Sequence, residues 1–180
     1  NLVTIDAHFI SNVEPDDGAQ ILSCLNMEQT QFVLVSKSGT TLETLTNQAF
    51  VSEAMREAGL DPSRHIVAVT SKSSPLAASD EVLDAFFIDD YIGGRYSSTS
   101  AVGGVILSLA YGYESFRLLL DGAHQADRQA LNPSIGENAA LLDALIGVYL
   151  RNVLRLPSTA ILPYSQALSR FSAHLQQLDM

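Results

Sequence analysis

Hydrophobic positions fall along this chain in two rhythms. Short unbroken runs, Phe32-Val33-Leu34-Val35, Ile66-Val67-Ala68-Val69-Thr70 and Ala85-Phe86-Phe87-Ile88, are rich in β-branched or aromatic residues and too brief for helices, so they predict strands, the first of them buried on both faces. Val3, Ile5 and Ala7-His8-Phe9-Ile10 predict an earlier strand, closed by the turn residues of Ser11 to Gly18. Between the runs, spacings of three and four take over. Ala19 to Leu25 predicts a short helix with Ile21, Leu22 and Leu25 on its apolar face, and Leu76 to Leu83 a weak one. Thr41 to about Ala58 predicts a longer helix through Leu42, Leu45, Ala49 and Phe50, stopped by Gly59 and Asp61-Pro62. Strands separated by helical segments imply βαβ units, hence an α/β fold whose parallel sheet is covered on both faces.

From Ala101 the helical rhythm dominates. It runs through Val102 to Ala110, then through Ser115 to Ala130 with Phe116, Leu118, Leu119 and Leu120. After the breakers Pro133 and Gly136 it resumes over Asn138 to Leu154, with a stripe of Leu141, Leu142, Leu145, Ile146 and Tyr149. These stripes are expected in the core, and His124 on the surface. Thr159-Ala160-Ile161-Leu162 predicts a late strand, and Gln166 to Gln177 a final helix burying Leu168, Phe171 and Leu175. No repeat or linker interrupts the 180 residues, which are expected to form one domain.

Composition narrows the function classes. A hydrophobic content of 47% suffices for a sizeable core, and a net charge of −10 argues against nucleic acid or an acidic membrane as partner. Any anionic substrate must therefore be held by local donors. Cys24 is the single cysteine, so no internal disulfide forms, which fits a reducing compartment. No signal peptide or membrane-length apolar run is present, and a cytoplasmic location is expected. The chain lacks an initiator Met and stops without a polar tail, so it is expected to be a piece of a longer polypeptide.

Candidate chemistry concentrates after the first apolar run. Ser36-Lys37-Ser38-Gly39-Thr40-Thr41 supplies a cation, four hydroxyls and a permissive glycine between a strand and a helix start. The first N–H groups of a helix lack carbonyl partners and favour negative charge, so this loop reads as a phosphate site. It is not a Walker loop, because that glycine-lysine spacing is absent. Ser71-Lys72-Ser73-Ser74-Pro75 repeats it superficially and reads as a plain connection. In Asp89-Asp90-Tyr91-Ile92-Gly93-Gly94-Arg95-Tyr96-Ser97, Arg95 follows another strand end, where ligands of such sheets gather, and is expected to share a crevice with Lys37. The alternative is an ion pair of Arg95 with Asp89 or Asp90.

Three blocks, Val35 to Thr44, Ile92-Gly93-Gly94-Arg95-Tyr96-Ser97 with Ser100 to Gly103, and Ile161-Leu162-Pro163-Tyr164-Ser165-Gln166 leading to Gln176-Gln177-Leu178-Asp179-Met180, resemble the glucose-6-phosphate isomerase family in order and spacing. Phe9-Ile10-Ser11-Asn12-Val13 is similar to a strand near the start of that family's sugar-isomerase (SIS) domain. The resemblance implies a three-layer αβα sandwich with a flavodoxin-like parallel sheet, and a helical C-terminal part. It implies interconversion of glucose 6-phosphate and fructose 6-phosphate through an enediol, in glycolysis and gluconeogenesis, without a cofactor or metal and usually in a homodimer. Carried over by position, Ser36, Lys37, Ser38 and Thr41 hold the sugar phosphate, and Arg95, beside the Gly94 backbone, offsets charge on the enediol. Glu43 lies near the ring-opening histidine, and Gln177 contacts sugar hydroxyls. Such chemistry needs one base above the sugar plane and a cation for the developing oxyanion.

The departures carry equal weight. The family's base is a glutamate in a Glu-Ser-Asn-Gly-Lys run just beyond Asp-Met, and its histidine and lysine come later; none of these lies in the 180 residues. The Gly-Gly-Ser strand that precedes the Phe9 segment in the family is also absent. The expectation is a polypeptide with part of a phosphate site and no isomerase turnover. Ser38-Gly39, where animal-type members carry Thr-Phe, points to a microbial branch, some of whose members are fused to a transaldolase. The rival is a non-catalytic SIS module that senses a phosphosugar; the Gly-Gly-Arg-Tyr-Ser block argues against it, since a sensor has no need of the arginine.

Overall fold

Strand β1 (Phe32–Val35) and strand β2 (Ile66–Thr70) coincide with the first two apolar runs, and β3 (Asp84–Phe87) with the third, shifted by one residue. The computed structural model describes residues 5–179. The strands form one parallel sheet in the order β1-β2-β3, with Val33 opposite Val67 and Val69 opposite Phe86. All five residues of β2 are buried, as befits a central strand with both faces covered. Those of β1 are half-buried, and β3 is mostly exposed.

Parallel strands need a crossover, and helix α2 (Leu42–Glu57) supplies it between β1 and β2. Met55 and Val51 of α2 are buried. Gly59 takes φ +77° just beyond the helix, the left-handed stop that the sequence predicts. Pro62–Arg64 then makes a single tight turn into β2. Its cap is Asp61, whose Oδ1 accepts from Ser63 Oγ at 2.8 Å and Ser63 N at 3.0 Å. These bonds, the side-chain one first, hold the Asp61 carboxyl below its ordinary pKa. A lowered folded-state pKa contributes stability above the unfolded value and loses it as pH falls through the folded one. Asp61→Asn is therefore expected to flatten the acid fall of Tm below about pH 4, checked by thermal melts across pH 2 to 7.

Two elements differ at their starts. Helix α1 (Pro15–Ser23) begins four residues before the predicted Ala19, because Pro15 suits the first helical position and Glu14 accepts from Asp16 N at 3.2 Å and Asp17 N at 2.6 Å. What reads as a polar turn is a capped first turn. The weak helix from Leu76 contracts to the single turn Pro75–Ala78, capped by Ser74 Oγ.

The first strand candidate does not form. Ile5 to Ile10 has no strand pairing, and Val3 lies outside the described residues. The outer edge of β1 consequently has no strand partner among the described residues. Beside it runs a trough of about 640 Å³, walled by residues such as Phe9, Val35, Val51, Ile106 and Leu109. An open seam thus stands where a further strand would lie.

Helix α3 (Ala101–Tyr111) contacts β2 and β3; Ser100 caps it, accepting from Val102 N at 3.3 Å. The chain divides into two compact units, Asn1–Phe116 and Arg117–Met180. Helix α4 (Tyr113–Ala130) carries most of its length in the second. There α5 (Ala139–Val148) is capped by the buried Asn138, whose Oδ1 accepts from Leu141 N while its Nδ2 donates to the carbonyls of Ala130 and Asn132. Helix α5 widens into a π-turn at Tyr149–Val153. Helix α6 (Phe171–Asp179) follows the single turn Gln166–Leu168, so the predicted final helix is broken in two.

Here burial departs from the sequence expectation. Leu118, Leu142, Leu145, Ile146, Tyr149, Leu168 and Phe171 are all more than a third exposed, and Thr159 to Leu162 form no strand. An apolar stripe fixes which face seeks cover but not what covers it, and a unit of this size has little interior to offer. A strand likewise needs an edge to pair with.

Candidate functional site

Strands β1, β2 and β3 are parallel, so the loops that follow them emerge at one edge of the sheet. The loop after β1 is held to β2 by its main chain. Ser36 N donates to Val69 O at 3.1 Å, Ser71 N to Lys37 O at 3.0 Å, and Thr70 Oγ1 to Ser36 O at 2.7 Å. Gly39 adopts φ +67° and turns the chain back toward α2.

Hydroxyls then bond to one another. Buried Ser36 Oγ accepts from Gly39 N at 3.1 Å and lies 3.1 Å from Thr41 Oγ1. Ser38 Oγ accepts from Thr40 N at 3.2 Å and Thr40 Oγ1 at 3.0 Å. Whichever of Ser36 and Thr41 donates to the other, one hydroxyl proton of that pair is left over, and Ser38 keeps its own. Thr41 precedes α2 without a side-chain cap bond, and the N–H groups of Leu42, Glu43 and Thr44 find no acceptor among the described residues. A sixteen-residue helix thus presents its positive end and several donors at one point. The arrangement suits an oxyanion with several acceptor oxygens.

Lys37 belongs to this loop, yet its side chain leads elsewhere. Nζ donates to Asp90 O at 2.5 Å and to Ile92 O at 2.9 Å, both in the loop after β3. Three residues beyond Ile92, Arg95 stands in the turn Gly94–Thr99 with its side chain exposed. Gly94 is exposed beside it, with nothing within 4 Å of where a Cβ would stand. The alternative pairing of Arg95 with Asp89 or Asp90 does not form among the described residues. Asp89 instead accepts from Tyr91 Oη at 3.1 Å, which raises the Tyr91 pKa.

Glu43 is exposed in the first turn of α2 and lines the trough beside β1. Gln177 is exposed on α6, in the other unit. Ser36, Lys37, Ser38 and Thr41 therefore share one loop, and Gly94 and Arg95 sit on another at the same sheet edge. Two contributions escape the sequence reading. The segment Ser71 to Pro75 is more than a connection: it buttresses the hydroxyl loop, with buried Ser74 and Leu76 packed against Gly39. A glycine followed one strand later by a second serine-rich loop was the available signal. The carbonyls of Asp90 and Ile92 carry none, being main-chain atoms. Among the described residues no cluster of three or more His, Cys, Asp or Glu could hold a metal, and no helix is long and apolar enough to cross a membrane.

Comparison with known proteins covers nearly the whole chain. The model of the family described as phosphoglucose isomerase matches residues 2–180. A glucose-6-phosphate isomerase of Treponema denticola is 58% identical over 174 residues, covering 97% of this chain and 33% of the relative. That of Treponema pallidum (strain Nichols) is 60% identical over 178 residues, covering 99% and 33%. The crystal structure of a glucose-6-phosphate isomerase from Chlamydia trachomatis superposes with a TM-score of 0.91 at 48% identity, over 94% of this chain and 33% of that one. A hypothetical protein from Thermus thermophilus gives 0.77 at 31% identity, over 95% and 41%. The chain spans about a third of the length of the curated relatives it matches. With a parallel α/β sheet, the hydroxyl loop and the Gly-Gly-Arg turn in the expected order, and a family match from residue 2 to residue 180, the chain belongs to the phosphoglucose isomerase family.

Proposed function

We propose that these 180 residues supply the phosphate pocket and the charge-stabilising arginine of an enzyme that interconverts glucose 6-phosphate and fructose 6-phosphate. One observation carries the reading: a hydroxyl loop at an uncapped helix N-terminus is tied through Lys37 to the loop that presents Gly94 and Arg95. In this reading Ser36, Ser38 and Thr41 donate to the sugar phosphate, with the charge of Lys37 beside them. Arg95 faces the O1–O2 end of the open-chain sugar and stabilises the cis-enediolate that forms as a proton moves between C1 and C2. Glu43, in the first turn of α2, adds to the surroundings of the sugar. The base, the ring-opening histidine and the lysine are contributed by residues outside this stretch, so the 180-residue chain binds phosphosugar without turning it over. Its working form is a cytoplasmic homodimer of family length, using no cofactor.

The sensor reading keeps the same loop but leaves Arg95 without a task, and an exposed guanidinium with no ion pair among the described residues favours the isomerase. The test is a thermal-shift titration of the chain. Fructose 6-phosphate at about a hundredfold excess over Kd should stabilise it by about 2.7 kcal/mol, whereas fructose leaves Tm unchanged. Equal shifts for both sugars would remove the phosphate pocket, and turnover of fructose 6-phosphate by the pure chain would move the base inside these residues.

A further inference from the structure

We propose that Lys37 is a positioning residue whose ammonium straps together two strand ends, fixing the loop that presents Gly94 and Arg95, and that phosphate affinity does not depend mainly on it. The geometry is specific to one residue. Its own carbonyl accepts from Ser71 N at 3.0 Å and from Thr70 Oγ1 at 3.3 Å, which locks it to the end of β2. Its side chain crosses the end of that central strand and donates to Asp90 O and Ile92 O after β3. One lysine following β1 therefore touches the exits of all three strands.

The turn Gly94–Thr99 is itself held against α3, where Ser98 packs on Gly103 and Ser100 Oγ donates to Ser97 O. The stretch before it, Asp89 to Gly93, has few other anchors. Ile88 N still bonds Thr70 O at 2.8 Å, but beyond it the bonds of Asp89 to Gly93 close on the loop itself: Ile92 N to Asp89 O, Tyr91 Oη to Asp89, and Tyr96 N to Gly93 O. Asp89, Asp90, Gly93 and Gly94 are exposed, so apolar packing does little to hold them. Two of the three ammonium protons serve the strap. Carbonyl oxygens do not neutralise the charge, which leaves the lysine cationic at the sheet edge while its position is dictated by the loop. The donors aimed at an anion are the hydroxyls and the helix N–H groups, and none of them needs Lys37 Nζ.

The consequence for chemistry rests on the role proposed above for Arg95; the strap itself does not, and the measurements separate the two. Hydrogen exchange on Lys37→Met should show the amides of Ile92 and Tyr96 exchanging at least tenfold faster, with those of Met55 and Val69 unchanged. The affinity of the same variant for fructose 6-phosphate should fall no more than threefold. On a Cys24→Ser background, Lys37→Cys alkylated with 2-bromoethylamine restores a side chain of the same length and charge, and should return exchange at Ile92 and Tyr96 to the parent rate. In a polypeptide of full family length carrying this segment, Lys37→Met should lower kcat at least tenfold while KM for fructose 6-phosphate stays within threefold. Unchanged exchange at Ile92 and Tyr96 would overturn the strap. So would a tenfold rise in KM at unchanged kcat, which would make Lys37 a phosphate ligand. Should the parent chain show no preference for fructose 6-phosphate over fructose, the phosphate pocket fails while the exchange result still decides the strap.

Discussion

Gly103→Ala is expected to be the most damaging single-methyl change in the chain, costing about 3 kcal/mol in urea unfolding. A Cβ at this position would lie 1.7 Å from the carbonyl oxygen of Ser98, 2.6 Å from its carbonyl carbon and 3.1 Å from its Cα. These are main-chain atoms, so no rotamer change relieves the clash. Either α3 shifts or the turn Gly94–Thr99 is displaced, and that turn carries Arg95. Moving them apart also disturbs Ser100, which donates to Ser97 O at 2.7 Å and caps α3, a loss of about 1 kcal/mol on its own. Gly104→Ala is the control. Its nearest neighbour would be Phe116 Cε1 at an ordinary 3.4 Å, and replacing a helical glycine by alanine gains about 0.5–1 kcal/mol. Opposite signs at adjacent positions identify the contact with Ser98; equal effects would show that α3 absorbs the methyl elsewhere.

Gly39→Ala is expected to cost about 2–3 kcal/mol and to weaken phosphosugar binding at least tenfold. Its φ of +67° imposes about 1–2 kcal/mol on any residue with a Cβ. The new methyl would also lie 2.1 Å from Ser74 Oγ and 3.2 Å from Leu76 Cγ. Ser74 Oγ cannot simply rotate away, because it accepts from Leu76 N at 3.2 Å. Gly59 has a similar φ of +77° with nothing within 4 Å, so Gly59→Ala should cost about 1 kcal/mol and leave binding untouched. The difference between the two melts reads the clash alone. A Gly39→Ala chain with parent affinity would show that the hydroxyl loop is not where the phosphate rests.

Local patterns made the sheet readable. The runs at Phe32 and Ile66 are short, apolar and bounded by polar residues, and each forms a strand where the letters place it. The start of α2 was equally plain, since hydroxyls and glycine precede a periodic stretch. Harder cases involve partners distant in sequence. Thr159 to Leu162 has strand-like residues but no edge to join, and Leu145 and Ile146 lie on an apolar face with too little opposite it. Pro15 reads as turn punctuation because the same residue serves a turn and a first helical position. The shared sheet edge of Lys37 and Arg95 followed from parallel strands alone, whereas the destination of the lysine side chain did not.

Because Lys37 grips peptide oxygens, the identities of residues 90 and 92 are free to drift without loosening it. An inserted or deleted residue between β3 and Gly93 is another matter, since it would carry both oxygens out of reach. In this part of the molecule the constraint falls on how many residues are spent, and hardly at all on which ones.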